Sequence, residues 1–224
     1  MAALYKIKAV FFDLDGTLLD TAHDLADATN YVLKHHGYSS KSFEFLRPLI
    51  GRGTNYIVSN AFNIDATHPN FNRYKQELLQ SYQQCLSEKT RFFPGMEDVL
   101  DLLDERQIAW GVVTSKPTWL AKPLMKNLGL DKRLCCLVGR ECLPFIKPHP
   151  IPILYACRTS KVAPQFSVYV GDTEADIIAA KYAETYSIIA AYGYAEINAP
   201  IHHWGADHIV DSAWDLHSWI KNRT

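Results

Sequence analysis

Two aspartates, Asp13 and Asp15, stand two positions apart directly after a short apolar run. That run, Ala9–Phe12, predicts a buried strand, and Gly16 allows the backbone to turn sharply and approach a ligand closely. Two carboxylates with this spacing can hold a metal ion together, and one of them can attack phosphorus as a nucleophile. An Asp-Gly turn without any chemical role has the same residues, so the pair predicts a site only in combination with other features.

Three further polar features follow later apolar segments. Thr114 and Ser115 can donate hydrogen bonds to a phosphoryl oxygen, although a helix N-terminus would use the same residues. Lys147 stands close to two prolines, which fix the direction of the chain. For this lysine, a role in binding and a solvated position at the surface are equally open. Asp172 and Asp176 lie one helical turn apart on the same face, an arrangement that suits magnesium and also suits helix capping. The four features, each at a strand end, together predict one site.

The elements that must bring these residues together are short apolar runs that alternate with amphipathic helical patterns. The predicted strands cover residues 8–12, 108–113, 134–138, 167–170, 187–191 and, more weakly, 208–210. Nearly all-apolar strands between helices indicate a parallel sheet with both faces covered, and such sheets bind ligands beyond the carboxyl ends of their strands. We therefore expect an α/β fold with a Rossmann-like parallel sheet core and helices on both faces.

One long interval contains only helical patterns. Between about residues 20 and 91, apolar residues recur at helical spacing and no strand pattern appears. An insert of this length between the first and second strands predicts an all-α cap domain at residues 20–92. Residues 1–19 and 93–224 would then form the catalytic core.

The overall composition excludes several classes of protein. Of 224 residues, 48% are apolar and 21% are charged, so the chain is not expected to be disordered. The formal net charge of -1 provides no field that would recruit nucleic acid or an anionic membrane. The five cysteines are odd in number and include no CxxC spacing, which predicts reduced thiols in a cytoplasmic protein.

The four features, in this order, resemble the motifs of the haloacid dehalogenase superfamily, and specifically those of its aspartate-nucleophile phosphatases. The likeness covers essentially the whole chain, since the helical insert is similar to the smaller helical cap of that superfamily. Residues 49–53, 93–95 and 192–194 resemble phosphoglycolate phosphatases, while residues 110–117, 198 and 204–207 resemble N-acetylmuramic acid 6-phosphate phosphatases. Ser115 and His149 depart from the asparagine and aspartate that are frequent at these two positions in relatives.

The resemblance implies roles for the acidic residues. Asp13 is expected to attack phosphorus and form an aspartyl-phosphate, while Asp15 protonates the leaving alcohol and then activates the hydrolytic water. Mg²⁺ would be held by Asp13, Asp172 and the main-chain carbonyl of Asp15, and Asp176 would either join these ligands or orient them. Asp15 also favours phosphate chemistry over dehalogenation, because a departing halide needs no proton.

The resemblance likewise implies how a substrate is bound. Thr114, Ser115 and Lys147 are expected to contact the phosphoryl oxygens, and Arg52 in the cap is the candidate to bind a substrate carboxylate. Phosphoglycolate is the first expectation for the substrate and N-acetylmuramic acid 6-phosphate the second. A phosphotransferase or mutase of the same superfamily and a non-catalytic binding protein both stay open. The expected partner is thus a small phosphorylated metabolite, not nucleic acid or a membrane, and the expected state is a monomer or homodimer.

Overall fold

A computed structural model describes residues 6–195 and 198–224 of the chain. The chain divides into two compact units. The sheet unit consists of Met1–Leu19 and Phe92–Thr224, and the helical unit consists of the inserted segment Asp20–Arg91. Strands and helices in the described residues are labelled β1–β8 and α1–α9 in chain order.

The sheet unit is built on a parallel sheet. Its strands are β1 (Ala9–Phe12), β4 (Ala109–Val113), β5 (Leu137–Val138), β6 (Ser167–Gly171), β7 (Tyr186–Ala190) and β8 (His208–Val210). The two-residue strands β2 (Leu19–Asp20) and β3 (Arg91–Phe92) lie where the chain leaves and re-enters this unit. The order across the sheet is β5-β4-β1-β6-β7-β8, which places β1 between β4 and β6. Phe12 is aligned with Val112 on one side and Val170 on the other, so three neighbouring strands end at the same edge of the sheet.

Helices cover both faces of this sheet. They are α5 (Met96–Glu105), α6 (Thr118–Asn127), α7 (Ile151–Ser160), α8 (Glu174–Tyr182) and α9 (Ala213–Lys221), with short 3-10 helices at Pro164–Phe166 and Ile201–His203. Successive side chains of a strand point to opposite faces, and every residue of β1 is completely buried. On one face, Ala9 and Phe11 pack with Ile153 of α7 and Ala179 of α8.

The helical unit contains α1 (Ala22–His35), α2 (Phe43–Ile50), α3 (Thr54–Phe62) and α4 (Phe71–Gln84). Each helix buries an apolar stripe, for example Leu25 and Val32 of α1 and Leu78 of α4. The buried Asp24 of α1 accepts hydrogen bonds from the backbone nitrogens of Lys89 at 2.8 Å and Thr90 at 2.9 Å, and from the Thr90 hydroxyl at 2.7 Å. These bonds fasten the last residues of the unit to its first helix.

The predicted fold class is confirmed, and two local expectations need correction. The strand expected at residues 134–138 is reduced to Leu137–Val138, and Cys135 is exposed. Helices α2 and α9 had no counterpart in the predicted pattern, although the hydroxyls of Ser42 and Ser212 cap them. None of the helices in the described residues combines the length and apolar character needed to cross a bilayer.

Candidate active site

Asp13 follows β1 directly, and its side chain is only 11% exposed. Its backbone nitrogen donates to the Val170 carbonyl of β6 at 2.9 Å, so strand pairing holds the residue at the carboxyl edge of the sheet. Lys147 Nζ lies 2.9 Å from Asp13 Oδ1. Apart from this ion pair, no group among the described residues donates a hydrogen bond to this buried oxygen. Asp13 Oδ1 therefore keeps lone-pair capacity for a cation.

Lys147 is a buried cation beside Asp13, with a side chain only 4% exposed. Besides Asp13, its ammonium contacts Asp176 Oδ1 at 2.6 Å, the Tyr169 hydroxyl at 2.9 Å and the Val113 carbonyl at 3.2 Å. Burial lowers the pKa of Lys147, but the negative charges of Asp13 and Asp176 outweigh this effect and raise it above the ordinary value. The ammonium therefore stays charged at neutral pH.

Asp172 follows β6 and is completely buried. Its two oxygens accept hydrogen bonds from the Thr17 hydroxyl at 3.0 Å and from the Tyr194 backbone nitrogen at 2.9 Å. Gly16 has a φ of +88°, and a Cβ at this position would lie 2.3 Å from Asp172 Oδ2. The turn after Asp13 therefore requires glycine, both for its backbone conformation and to leave room for the second acidic residue.

Asp176 lies in the first turn of α8 and is also completely buried. Its Oδ2 accepts from the backbone nitrogen and hydroxyl of Thr173, at 3.0 and 2.6 Å, which completes a capping box. Its Oδ1 accepts from Lys147 at 2.6 Å and lies 3.1 Å from the Tyr169 hydroxyl. Lys147 and both Thr173 groups donate to this carboxylate, and the single hydrogen of the Tyr169 hydroxyl is shared between it and the Val113 carbonyl at 2.9 Å.

Asp15 has a different lysine partner. Lys116 Nζ lies 2.8 Å from Asp15 Oδ1 and 3.2 Å from Oδ2, and the lysine side chain is 4% exposed while that of Asp15 is 20% exposed. The buried hydroxyl of Thr114 accepts a hydrogen bond from the backbone nitrogen of Lys116 at 3.1 Å, which fixes the start of this loop. The two carboxylates of the first motif are thus held separately, Asp13 by Lys147 and Asp15 by Lys116.

Three other residues singled out in the sequence are exposed. Ser115 is exposed in the loop after β4. Arg52 belongs to the helical unit, where its guanidinium lies 3.6 Å from the ring centroid of Tyr56. His149 is also exposed, and its Nδ1 accepts from the Ile151 backbone nitrogen at 3.2 Å, which supports the beginning of α7.

Asp13, Asp172 and Asp176 form a buried acidic cluster whose ligand oxygens lie within 4.8 Å of one another. Burial raises the pKa of Asp13 to about 6; Lys147 counteracts this rise, and Asp176 and Asp15 add to it. Burial together with the charges of Asp13 and Asp176 raises the pKa of Asp172 well above its ordinary value. One ammonium does not neutralise three carboxylates, so a divalent cation fits both the charge and the hard oxygen donors of this cluster.

Comparison with known proteins shows which family the chain belongs to. The model of the haloacid dehalogenase-like hydrolases matches residues 10–190. The chain belongs to this family. Two curated relatives extend the match to almost the whole length. An N-acetylmuramic acid 6-phosphate phosphatase of Pseudomonas putida is 34% identical and covers 97% of each chain. A phosphoglycolate phosphatase of Xanthomonas campestris is 36% identical and covers 95% of this chain and 97% of its own.

Solved structures show the same relationship. A crystal structure described as a predicted phosphoglycolate phosphatase, from Haemophilus somnus, superposes with a TM-score of 0.84 at 30% identity, covering 98% of this chain and 99% of its own. A putative phosphoglycolate phosphatase from Lactobacillus delbrueckii gives a TM-score of 0.85 at 27% identity, with 96% and 98% covered. The family and the enzyme class expected from the sequence, a phosphoric monoester hydrolase, are therefore confirmed.

Sequence reasoning overlooked three residues of this site. Tyr169 and Thr17 are polar residues in completely buried positions, and a buried hydroxyl needs a partner. A tyrosine within an otherwise apolar strand is the sequence feature that could have indicated a role for Tyr169 in the site. Lys116 falls within residues 110–117, but nothing in the sequence distinguishes a lysine paired with Asp15 from a lysine at the surface.

Proposed function

We propose that this protein is a magnesium-dependent phosphomonoesterase that hydrolyses a small, carboxylate-bearing phosphate ester through an aspartyl-phosphate. The observation that carries the proposal is the separate pairing of the two carboxylates of the first motif. Asp13 lies buried against Lys147 at 2.9 Å, and Asp15 is held by Lys116 at 2.8 Å. A buried carboxylate next to a cation suits the role of nucleophile. A second, more exposed carboxylate suits the role of general acid and base.

In this mechanism an oxygen of Asp13 forms a bond to phosphorus while the bond between phosphorus and the ester oxygen breaks. Asp15 donates its proton to the departing alkoxide, so that a neutral alcohol leaves. Asp15 then takes a proton from the water that attacks the aspartyl-phosphate, which releases inorganic phosphate and restores Asp13. Lys147 and the hydroxyl of Thr114 would hold the phosphoryl oxygens, with the exposed Ser115 beside them.

Asp13, Asp172 and the main-chain carbonyl of Asp15 would hold the magnesium ion, and Asp176 would orient Lys147. When bound, the cation neutralises charge on the phosphoryl group and lowers the repulsion between a phosphate dianion and an anionic nucleophile. The acceptor capacity left on Asp13 Oδ1, against the three hydrogen bonds that Asp176 accepts from Lys147 and Thr173, supports this division of roles.

The helical unit would act as a cap that supplies part of the substrate specificity. Arg52 in this unit is the proposed contact for the substrate carboxylate. Both curated relatives are named for substrates that carry a carboxylate, 2-phosphoglycolate and N-acetylmuramic acid 6-phosphate. We place phosphoglycolate first and the muramic acid phosphate second.

One feature of the C-terminal region weakens the case for the sugar. The likeness to N-acetylmuramic acid 6-phosphate phosphatases includes Asp207. Its Oδ2 accepts hydrogen bonds from the backbone nitrogen and the hydroxyl of Ser187 at 2.9 and 2.8 Å. Asp207 thus supports strand β7, and its presence requires no contact with a sugar.

Activity assays test the proposal directly. Phosphate release from p-nitrophenyl phosphate is expected with Mg²⁺ and is expected to disappear in EDTA. A panel of 2-phosphoglycolate, N-acetylmuramic acid 6-phosphate and glucose 6-phosphate, ranked by kcat/KM, then identifies the substrate class. Acid-quenched protein should gain the mass of one phosphoryl group in the wild type but not in Asp13→Asn.

Two outcomes would contradict the proposal. Turnover near the wild-type rate in Asp13→Asn would exclude this residue as the nucleophile. Transfer of the phosphoryl group to a second metabolite with little release of inorganic phosphate would instead favour a phosphotransferase or mutase, which needs the same residues.

A further inference from the structure

Two adjacent cysteines, Cys135 and Cys136, bring their sulfurs close together. Successive side chains of an extended strand point to opposite faces, so a strand through both residues would separate the two thiols. The chain bends at Cys135 instead, and the two Sγ atoms lie 3.9 Å apart. Cys135 is exposed and Cys136 is partly buried, so a dissolved ion can reach the pair from the side of Cys135.

Strand β4 holds this pair of cysteines in place. The backbone nitrogen of Cys135 donates to the Trp110 carbonyl at 2.7 Å, and the Cys136 carbonyl accepts from the Val112 nitrogen at 2.9 Å. Gly111, between Trp110 and Val112, leaves the space for the sulfurs, because a Cβ on it would lie 2.7 Å from Cys136 Sγ and 3.3 Å from Cys135 Sγ. The convergence of the two thiols is therefore fixed by backbone hydrogen bonds and by the lack of a side chain at Gly111.

The separation of the sulfurs matches the geometry of a tetrahedral metal ion. Two thiolates that bind such an ion at about 2.3 Å have their sulfurs about 3.8 Å apart. Thiolate is a soft ligand, which selects Zn²⁺ and similar thiophilic cations over Mg²⁺. The hydrogen bond between the two thiols lowers the pKa of Cys135 and, together with burial, raises the pKa of Cys136. Cys135 therefore ionises first, and Cys136 gives up its proton when the ion binds.

Oxidation of the pair to a disulfide is the competing chemistry, and the geometry disfavours it. Consecutive Cα atoms across a trans peptide bond are about 3.8 Å apart, below the lower limit of roughly 4.4 Å for ordinary disulfides. The sulfurs would also have to approach much more closely than 3.9 Å, against the hydrogen bonds that fix the backbone of both residues. A tetrahedral ion requires neither movement.

We propose that Cys135 and Cys136 form an exchangeable binding site for one thiophilic divalent cation of the Zn²⁺ and Cd²⁺ class. Binding converts the two thiols to thiolates and releases their protons to solvent. Cys157 is buried and its thiol contacts the Ser167 hydroxyl at 3.6 Å, so this proposal uses two protein ligands and leaves the other positions to water or a small solute. Both ligands come from one short segment, and such an open site exchanges its ion more readily than a closed structural site with four protein ligands. The inference is independent of the proposed phosphatase function.

Titration of the fully reduced protein with Cd²⁺ tests the proposal. The ultraviolet charge-transfer absorption of thiolate bound to Cd²⁺ reports only sulfur ligands, so ions held by the acidic cluster do not contribute to it. The absorption is expected to saturate at one ion per chain. Cys135→Ala and Cys136→Ala should each lower the affinity at least about tenfold, since even the loss of a group that only supports a metal ligand costs this much. Cys142→Ala is the control, because it removes another exposed cysteine and should leave the affinity unchanged.

Four results would overturn the inference. The first is a wild-type protein without saturable thiolate absorption, and the second is wild-type affinity in both single variants. The third is one ion per two chains, which would show that the exposed Cys135 bridges two molecules. The fourth is ready formation of the disulfide with diamide, seen as a loss of two hydrogens in the tryptic peptide of residues 134–140, which contains both cysteines. If Cys136→Ala does not fold, Cys136→Ser replaces it in the comparison. Magnesium-dependent phosphate release is measured separately, so failure of this inference leaves the proposed function untouched.

Discussion

Replacing Asp13 by asparagine is expected to abolish turnover and, without metal, to make the protein more stable. Burial raises the pKa of this carboxyl to about 6, with Lys147 opposing the rise and Asp176 contributing to it. The ionised form is therefore unfavourable in the folded chain. Asparagine has nearly the same shape and no charge, so it removes the nucleophile and the unfavourable charge together, a trade of stability against function.

The size of the effect follows from the pKa of Asp13. A rise from 3.8 to about 6 means that ionised Asp13 destabilises the folded chain by about 3 kcal/mol. Between these two pH values the folded chain binds more protons than the unfolded chain, so stability falls as the pH rises. The penalty is absent below pH 3.8 and complete above about pH 6. For a chain of this length, the upper limit is a gain in Tm of roughly 6–12 °C for Asp13→Asn at pH 8.

Thermal unfolding in EDTA, followed by circular dichroism from pH 4.5 to pH 8, measures this difference. The gap between Asp13→Asn and wild type should widen as the pH rises and level off above pH 6. Asp27→Asn is the matched control, because Asp27 is 55% exposed and pairs with Lys89 at the surface, where an ion pair contributes little. An Asp13→Asn protein that melts at or below the wild-type temperature at pH 8, or a gap that does not depend on pH, would refute the reasoning.

Three further predictions follow from the same cluster. Magnesium should raise the Tm more at pH 8 than at pH 5, because protons compete with the cation for the carboxylates. If titration with Mg²⁺ raises the Tm equally at both pH values, the proposed metal site is contradicted. Tyr169→Phe removes a hydroxyl that contacts Lys147 at 2.9 Å, so kcat/KM for p-nitrophenyl phosphate should fall about tenfold with an unchanged circular dichroism spectrum. Gly16→Ala places a Cβ 2.3 Å from Asp172 Oδ2 and should abolish the rise in Tm caused by magnesium. Gly37→Ala is the control, because Gly37 also has a positive φ, +76°, but a Cβ there has no atom within 4 Å; this variant should keep the rise in Tm.

The strands and their carboxyl ends were predictable because of a strong local signal. Short, mostly apolar runs end directly before Asp13, Thr114 and Asp172, where the structure has β1, β4 and β6. Helices α2 and α9 were not expected, since each is only eight or nine residues long and α2 contains Pro48. Short amphipathic segments carry too little periodicity to distinguish them from loops.

The sequence by itself determined the α/β class, the family and the positions of four chemical motifs, because each depends on residue types at short spacing. Only the tertiary structure decided which charges pair. It brought Lys147 to Asp13 and Asp176, and Lys116 to Asp15. These partners are far apart in the chain, and a lysine has the same local sequence signature whether it is solvated or buried against a carboxylate. The division of the two carboxylates between two lysines therefore arises from the order of the strands in the sheet.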